Sequence, residues 1–544
     1  MKKLIINTMM LGLLLGAVSC KKYLDLEPTN AASDKLVWSR VDYAELAVNS
    51  FYHDFNYFGS FSSGQSSAGM TEGFTDMLKY SSMTYNANMY IPNEVAYGGP
   101  VLTANYVSVY LGGWETVYDK VRRVNEAISN LKKYGTSLAE ADAVRLEGEL
   151  RFFRAFLYFD LLKRYKEVII YDEDLTKISK TATLSSEADG WNFVEQDLQF
   201  AGEHLPVSNN AMGRLTSGAA YGFMSRAMLY AKRWPAAQAA AEKVLDMNYS
   251  LTANYADAFK SGNSEAIIQY SYDKRVFTHS FDFYYSPGGD KEGSGAYGTP
   301  PQEMVESYEL AGTGGFPDWS VWHNTSGTTE TPPYEQLEPR FQASVLYNGA
   351  TWKGRTIEAF VNGKDGYANW KTDAVPAGRT VTGYFLRKLL DENLDLNSDN
   401  STQPWIALRL GEVLLNYAEA CYQNGAADLA NDAVRKIRTR VGLPYTDKAG
   451  DALMAQIRQE RKVEMAYEGQ YYWDMRRWEL AQTAFTGTRV HGLKIEKNGS
   501  GQFVYTYVDC DQQDRNFPVK MYRIAIPVSE ITNNTAISQF PEWN

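Results

Sequence analysis

The spacing of apolar and polar positions changes character several times along the chain. Residues 4–18 run apolar behind Lys2 and Lys3. Across 139–165, Leu146, Leu150, Phe153, Leu157 and Leu161 recur at three- and four-residue steps, which predicts one long helix with a continuous apolar stripe. Residues 218–247 alternate small alanines with Tyr221, Leu229, Tyr230 and Trp234, and Pro235 falls where a second helix would begin, so this stretch reads as a helical hairpin. The design repeats: a helix over 405–423, a turn at Asn424 and Gly425, and a helix over 426–441 closed by Gly442 and Pro444. A last helix over 451–482 completes the periodic part.

Alanine at close-packing positions with aromatics on the facing turn is the look of tetratricopeptide-type helix pairs. The units are degenerate and widely separated, so a regular solenoid does not follow. Between them, 58–110 and 270–402 lack helical periodicity and are rich in Gly, Pro, Tyr, Trp, Asn and Asp. Loops this long are uncommon in compact domains unless they serve a function. Short strands are expected within them at 266–272 and 382–388, and the ligand site is placed here.

The amino terminus has the order of a secretory signal: basic start, apolar middle, small residues before the cut. Its apolar stretch is about fifteen residues, short of the roughly 20 a stable membrane-spanning helix needs. Ala17, Val18 and Ser19 lead into Cys20 and resemble the lipobox of bacterial lipoproteins, although the position held by Ala17 is usually leucine. That resemblance implies a diacylglycerol on the Cys20 sulfur, with cleavage leaving Cys20 as the first residue. Two or three acyl chains, at about 0.8 kcal/mol per buried methylene, anchor stably where one does not.

Composition narrows the function classes. About 520 residues after the signal exceed the roughly 250 to 300 at which a single core stops growing, so more than one lobe is expected. A net charge of −11 argues against nucleic acid, whose phosphates demand concentrated Lys and Arg. Cys421 sits in a helical stretch and Cys510 in a polar loop, so two free or buried thiols are expected rather than a disulfide. Aromatic content is high, with 38 Tyr and 12 Trp, and such rings suit a surface that is half apolar and half wet.

Several segments together resemble the SusD/RagB family of outer-membrane nutrient-binding lipoproteins: CKKYLDLEPT (20–29), RFFRAFLYFDLLKRY (151–165), the hairpin around Trp234, LRLGEVLLNYAEA (408–420), IRQERKVEMAYEGQYYWDMRRW (457–478) and the closing YRIAIPVSEI and NNTAISQFPEW. The resemblance implies a mostly α, SusD-like fold. Four tetratricopeptide-type helix pairs would form a right-handed scaffold beside a loop-rich ligand-binding lobe with a few short strands. It also implies a partner, a SusC-like TonB-dependent outer-membrane barrel, and an oligosaccharide ligand, with peptides as the alternative. The expected layout is a signal at 1–19, a lipidated terminus and first helix at 20–56, an irregular ligand-site region at 57–110, helical scaffold at 111–265, the ligand-binding lobe at 266–402, scaffold again at 403–482 and a loop-rich closing segment at 483–544. No cofactor is expected.

Sugars are held by an aromatic ring against the pyranose face and by amides and carboxylates on the hydroxyls. The second irregular region offers Tyr284, Tyr285, Tyr297, Trp319, Trp322, Trp352 and Trp370, with Asp318, Asn324 and Asn369 nearby, and the first offers Tyr85, Asn86, Asn88 and Tyr90. Trp319 and Trp322 lead, because FPDWSVWHN lies in glycine-rich sequence without a helical stripe; the competing expectation is a ring packed beneath its own loop. Glu460, Glu464 and Glu468 share a helix face and raise a glycosidase reading, since hydrolysis uses two carboxyls roughly 5 to 9.5 Å apart. Neighbouring arginines favour a structural ion network instead. Gly293, Gly295 and Gly298 spell GxGxxG without the strand-then-helix context of a nucleotide site. Asp395, Asn397 and Asp399 alternate like the start of a calcium loop, but Asn400 replaces its glycine and Ile406 its closing glutamate. The readings carried forward are a glycan-binding lipoprotein that leaves its ligand intact, a protein-binding helical-repeat adaptor, and a hydrolase using the Glu460 to Glu468 row.

Overall fold

The computed structural model describes residues 33–55, 70–80, 91–208, 213–369 and 375–544. The apolar leader and Cys20 lie outside the described residues. Helices α1 (Val41–Asn49), α2 (Trp114–Tyr134), α3 (Glu140–Tyr165), α4 (Glu187–His204), α5 (Ser217–Tyr230) and α6 (Trp234–Leu245) open the scaffold. From α2 onward each packs on the next, and α1 packs on α3. Local chemistry sets their limits: the Ser186 hydroxyl accepts from Asp189 N to cap α4, Thr216 accepts from Ala219 N to cap α5, and Pro235 occupies the first turn of α6. The long helix predicted over 139–165 is present, but it is buried nearly all round from Leu146 onward rather than along one stripe. Sandwiched between α2 and α4, it must hide polar groups too. Arg154 in its middle is satisfied by Asp197 of α4 at 2.7 Å, Glu173 at 2.6 Å and Asn125 of α2 at 2.9 Å.

Ten short strands among the described residues form five antiparallel pairs: β1 (Lys79–Tyr80) with β3 (Gly298–Thr299), β2 (Ala266–Tyr270) with β8 (Trp405–Arg409), β4 (Val345–Tyr347) with β7 (Tyr384–Leu386), β5 (Thr351–Trp352) with β6 (Arg355–Thr356), and β9 (His491–Lys497) with β10 (Phe503–Asp509). The β2–β8 pair matters most for architecture. Tyr270 lies opposite Trp405 and Ala266 opposite Arg409, so the chain leaves the scaffold and returns to it side by side. The irregular lobe between them is a closed excursion from a helical stack that resumes with α7 (Leu410–Gln423), packed on α6, α8 (Ala427–Arg440) and α9 (Gly450–Glu464).

Two expected helices are shorter than predicted. Residues 405–409 are strand, because Trp405, Ile406 and Leu408 are buried in pairing with β2 before α7 begins. The helix expected over 451–482 ends at Glu464; Tyr467 (φ 63°) and Gly469 (φ 75°) turn the chain, and α10 (Tyr471–Arg477) starts afresh. The turn carries Glu468 inward, where its carboxylate meets Arg409 and Lys388 at 2.7 Å. The β9–β10 hairpin was not predicted, although alternation on either side of Asn498 to Gly501 is its signature.

The scaffold and the lobe each have an apolar core. Between them runs a buried ionic lattice. Arg340 of the lobe binds Glu338 at 2.5 Å and reaches Glu460 of α9 at 2.8 Å. Arg438 of α8 joins Glu309 of the lobe (2.7 Å) to Glu460 (2.5 Å). Arg409 contacts Glu464 (2.7 Å) and Glu265 (3.3 Å) as well as Glu468, and Arg440 meets Glu265 (2.8 Å) and Glu464 (2.5 Å). Five cations, with Lys388, thus face six carboxylates. Burial alone would raise the Glu464 carboxyl, but Arg440, Arg409 and Arg340 outweigh it and hold it well below the usual range. Removing one partner of a buried pair leaves the others uncompensated, at a cost of about 3–5 kcal/mol. Arg409→Met should therefore lower unfolding free energy by about that amount in urea titration; a loss within the ~0–1 kcal/mol of a surface pair would contradict the lattice's structural role.

Candidate functional site

The lobe's surface is built from loops 287–295, 351–365, 376–379 and 391–397 braced by charge. The Trp352 indole N–H donates to Asp290 at 2.8 Å, and Arg355 bridges Asp290 (2.7 Å) and Asp365 (2.8 Å). Lys353 donates to the Leu394 carbonyl at 2.8 Å and Lys291 to that of Leu396 at 2.9 Å. Gly288 is required where it stands, since a Cβ there would lie 2.5 Å from the Gly378 carbonyl. Around these braces are three open depressions of about 600, 440 and 300 Å³, lined among others by Tyr347, Lys353, Glu392 and Asn393 in the first, Lys291 and Arg379 in the second, and Asp290, Arg355 and Asp395 in the third. Their walls can hydrogen-bond hydroxyls from several directions.

The sequence-predicted residues divide. Trp319 and Trp322 pair edge-on at 5.5 Å in the lobe core, 6 % and 9 % exposed, and Trp322 donates to the Glu330 carbonyl at 2.9 Å. They are rings packed beneath their own loop. Trp352 and Tyr285 are also fully buried, Tyr285 against the Tyr80 hydroxyl at 2.7 Å. Asp318 and Asn324 tie their own turns, accepting from Ser320 N (3.0 Å) and Ser326 N (2.9 Å). Asn369 is half-buried. Tyr85, Asn86, Asn88, Tyr90 and Trp370 lie outside the described residues.

Tyr284 and Tyr297 remain half-exposed and face each other, centroids 4.9 Å apart. Backbone bonds from Tyr297 N to Tyr284 O (3.0 Å) and from Gly295 N to Phe283 O (2.9 Å) hold the pair on a tight fold of chain. Gly293 and Gly295 of the GxGxxG run serve this loop, both at positive φ, and Gly295 closes against the Ser286 carbonyl. Tyr297 directly precedes β3, where Gly298 pairs with Tyr80 of β1. Asp290, Lys353, Arg355 and Asp365 were missed from sequence. Their signal was charge set among glycines, in GGDKEG, WKGR and GKDG, where no helical face explains it.

Glu460, Glu464 and Glu468 belong to the ionic lattice and are 1 %, 0 % and 5 % exposed. Asp395 accepts from Asn397 N (3.0 Å) and Ser398 Oγ (2.7 Å), while Asp399 pairs with Lys274 at 2.6 Å. Among the described residues no group of three His, Cys, Asp or Glu could hold a metal ion. Cys421 and Cys510 are separate buried thiols.

These features define a class: a helical-repeat protein carrying a loop-built lobe inserted between two of its helices. Residues 244–543 match the model of the SusD family, and residues 22–229 match a model described as starch-binding associating with outer membrane. The chain belongs to the SusD family. A SusD-like protein of Bacteroides ovatus is 25 % identical over 391 residues; the match takes in 68 % of this chain and 65 % of the relative, just under two thirds of its length. A solved SusD-like protein of Bacteroides fragilis superposes with a TM-score of 0.79 at 25 % identity, covering 94 % of this chain and 98 % of its own. A SusD-like carbohydrate-binding protein of the same species gives 0.74 at 23 % identity, covering 92 % and 100 %.

Two buried groups of the lobe titrate in opposite senses. Burial pushes the Asp282 carboxyl up to about 7, with its Oδ1 accepting from Asp391 N at 2.7 Å. Burial pushes His279 down to about 4, its Nε2 donating to the Gln403 carbonyl at 2.9 Å. Asp282's contribution to stability is full below its ordinary 3.8 and lost as pH rises towards 7; that of His279 is full above 6.5 and lost as pH falls towards 4. The slopes oppose each other between about 4 and 6.5. Relative to the parent, Asp282→Asn should lose stability with acid across that window and His279→Gln should gain it, as read by urea unfolding at stepped pH. Parallel profiles for both variants would contradict the assignment.

Proposed function

We propose that this protein captures oligosaccharides at the cell exterior, held by a lipid on Cys20, and passes them uncleaved to a SusC-like TonB-dependent barrel. The observation that carries this reading is the half-exposed Tyr284–Tyr297 pair on the same inserted lobe as open depressions lined by Lys353, Arg355 and Asn393. Ring faces for a pyranose and charged or amide groups for its hydroxyls occur together on the inserted lobe. Family membership supports it, since one matching family description names starch binding and outer-membrane association. Tyr85, Asn86, Asn88 and Tyr90 of the first irregular region, which lie outside the described residues, are further ligand contacts on this reading of the sequence. The Glu460 to Glu468 row contributes to the fold and not to bond cleavage, because each carboxylate is buried and engaged by arginine or lysine.

A screen of polysaccharides and their oligosaccharides by titration calorimetry and product analysis should find saturable binding without turnover. Tyr284→Ala and Tyr297→Ala should each weaken it by about tenfold, the ~1.4 kcal/mol scale of a lost ring contact. Trp319→Ala should instead cost about 3–5 kcal/mol of stability. Unaltered affinity in both tyrosine variants would move the site elsewhere, and product formation would refute passive capture.

A further inference from the structure

A cleft of about 740 Å³ lies on the helical scaffold, lined by none of the lobe residues. It forms where the end of α3 (Leu162, Lys163, Lys166), the start of α4 (Trp191), the α5–α6 turn (Tyr230 to Arg233), α10 and Tyr522 converge. On a chain of net charge −11, its lining holds six cations, Lys163, Lys166, Lys232, Arg233, Arg476 and Arg477, against two carboxylates, Glu187 and Glu479. Most are engaged: Arg477 by Glu419 and Asp474, Lys163 by Asp160 at 3.0 Å, Lys232 by Glu479 at 3.0 Å and Arg233 by Glu195.

Arg476 is different. It is 5 % exposed, yet among the described residues no carboxylate pairs with it. Among the described residues its Nη1 reaches only the Lys163 carbonyl, at 3.4 Å, and Nε and Nη2 are buried without a hydrogen-bond partner. The guanidinium carbon lies over the Trp473 ring, 4.7 Å from its centroid, and 5.6 Å from that of Tyr472, and Arg476 and Trp473 both line the cleft. Buried guanidinium groups ordinarily find acceptors, because a charged donor taken out of water and left unmet forfeits its hydration without replacement. Nearby, burial lowers Lys163 to about 8 even though Asp160 pairs with it.

We propose that this cleft is a binding site for a small oxyanion group, a carboxylate, sulfate or phosphate, seated on Arg476 and flanked by Lys166 and Lys232. A planar guanidinium with two buried, unpaired donors matches two oxygens of one such group. The volume accommodates a sugar-sized body behind it, so the group can come from a free inorganic ion or from an acidic sugar.

The test is calorimetric titration of the full mature protein, in chloride buffer, with sodium sulfate, inorganic phosphate and sodium glucuronate. Saturation at one equivalent is the readout, because sulfate and phosphate also stabilise proteins non-specifically at high concentration. At least one probe should bind at one equivalent. Tightest binding of glucuronate assigns a sugar-borne carboxylate, and tightest binding of an inorganic probe assigns a free ion. Arg476→Met should abolish the binding, and the double variant Lys166→Gln, Lys232→Gln, with both changes at exposed side chains, should weaken it about fivefold while melting like the parent. No saturable binding of any probe, unchanged affinity in the double variant, or binding that survives in folded Arg476→Met would overturn the proposal.

Discussion

The arrangement depends on carboxylates and guanidinium groups taken out of water at the seam between helices and loops. Glu460, Glu464 and Glu468 project from the end of α9 and the turn after it, and their partners come from four distant stretches of chain: Arg340, Lys388, Arg409 and the pair Arg438 and Arg440. Every one of these groups demands compensation, so none of the segments can shift without stranding a charge. Apolar contacts tolerate sliding; a crossed set of bidentate pairs does not. A lobe poor in regular structure is thereby given a defined seat on the scaffold.

The β2–β8 ladder works with this lattice. By returning the chain to its point of departure, it lets more than a hundred residues be inserted between α6 and α7 without interrupting the helical stack, and it delivers Arg409 directly to Glu464 and Glu468. The loops then need only local devices to keep their shape: Asp290, Arg355 and Asp365 cross-brace one side, and the fold from Phe283 to Tyr297 presents two tyrosines on another. A binding surface on irregular chain is useful only if its rings hold their places, and here the frame beneath supplies that constraint.

Legibility in the sequence followed the range of the interactions. Helices whose burial repeats every three or four residues, such as α3 and the α5–α6 hairpin, were visible directly. The Trp405 to Arg409 strand was hidden, because an apolar run adjoining a helix looks the same either way until its partner at 266–270 is known. The break after Glu464 was equally hidden: its cause is the demand of Arg409 and Lys388 for Glu468, residues some 60 to 80 positions away. The arginine-rich surroundings of the glutamate row were legible, but Arg340, Arg409 and Glu265 were not. Glycine-rich flanks suggested open loops around Trp319 and Trp322, yet composition cannot tell a ring under a loop from one on top of it. The charged rim was missed for the converse reason, since Asp290 and Arg355 look like ordinary solvated loop charges until folding brings them together.

The central claim is that the ionic seam makes scaffold and lobe one cooperative unit. Native-state hydrogen exchange followed by mass spectrometry tests it most directly, by comparing amides of Ile457 to Val463 in α9 with those of Tyr384 to Leu386 in the lobe core across a denaturant series. The account predicts that both sets converge on a single opening free energy, equal to that of global unfolding. Lobe amides that exchange through a separate opening of much lower free energy, while α9 stays protected, would contradict it.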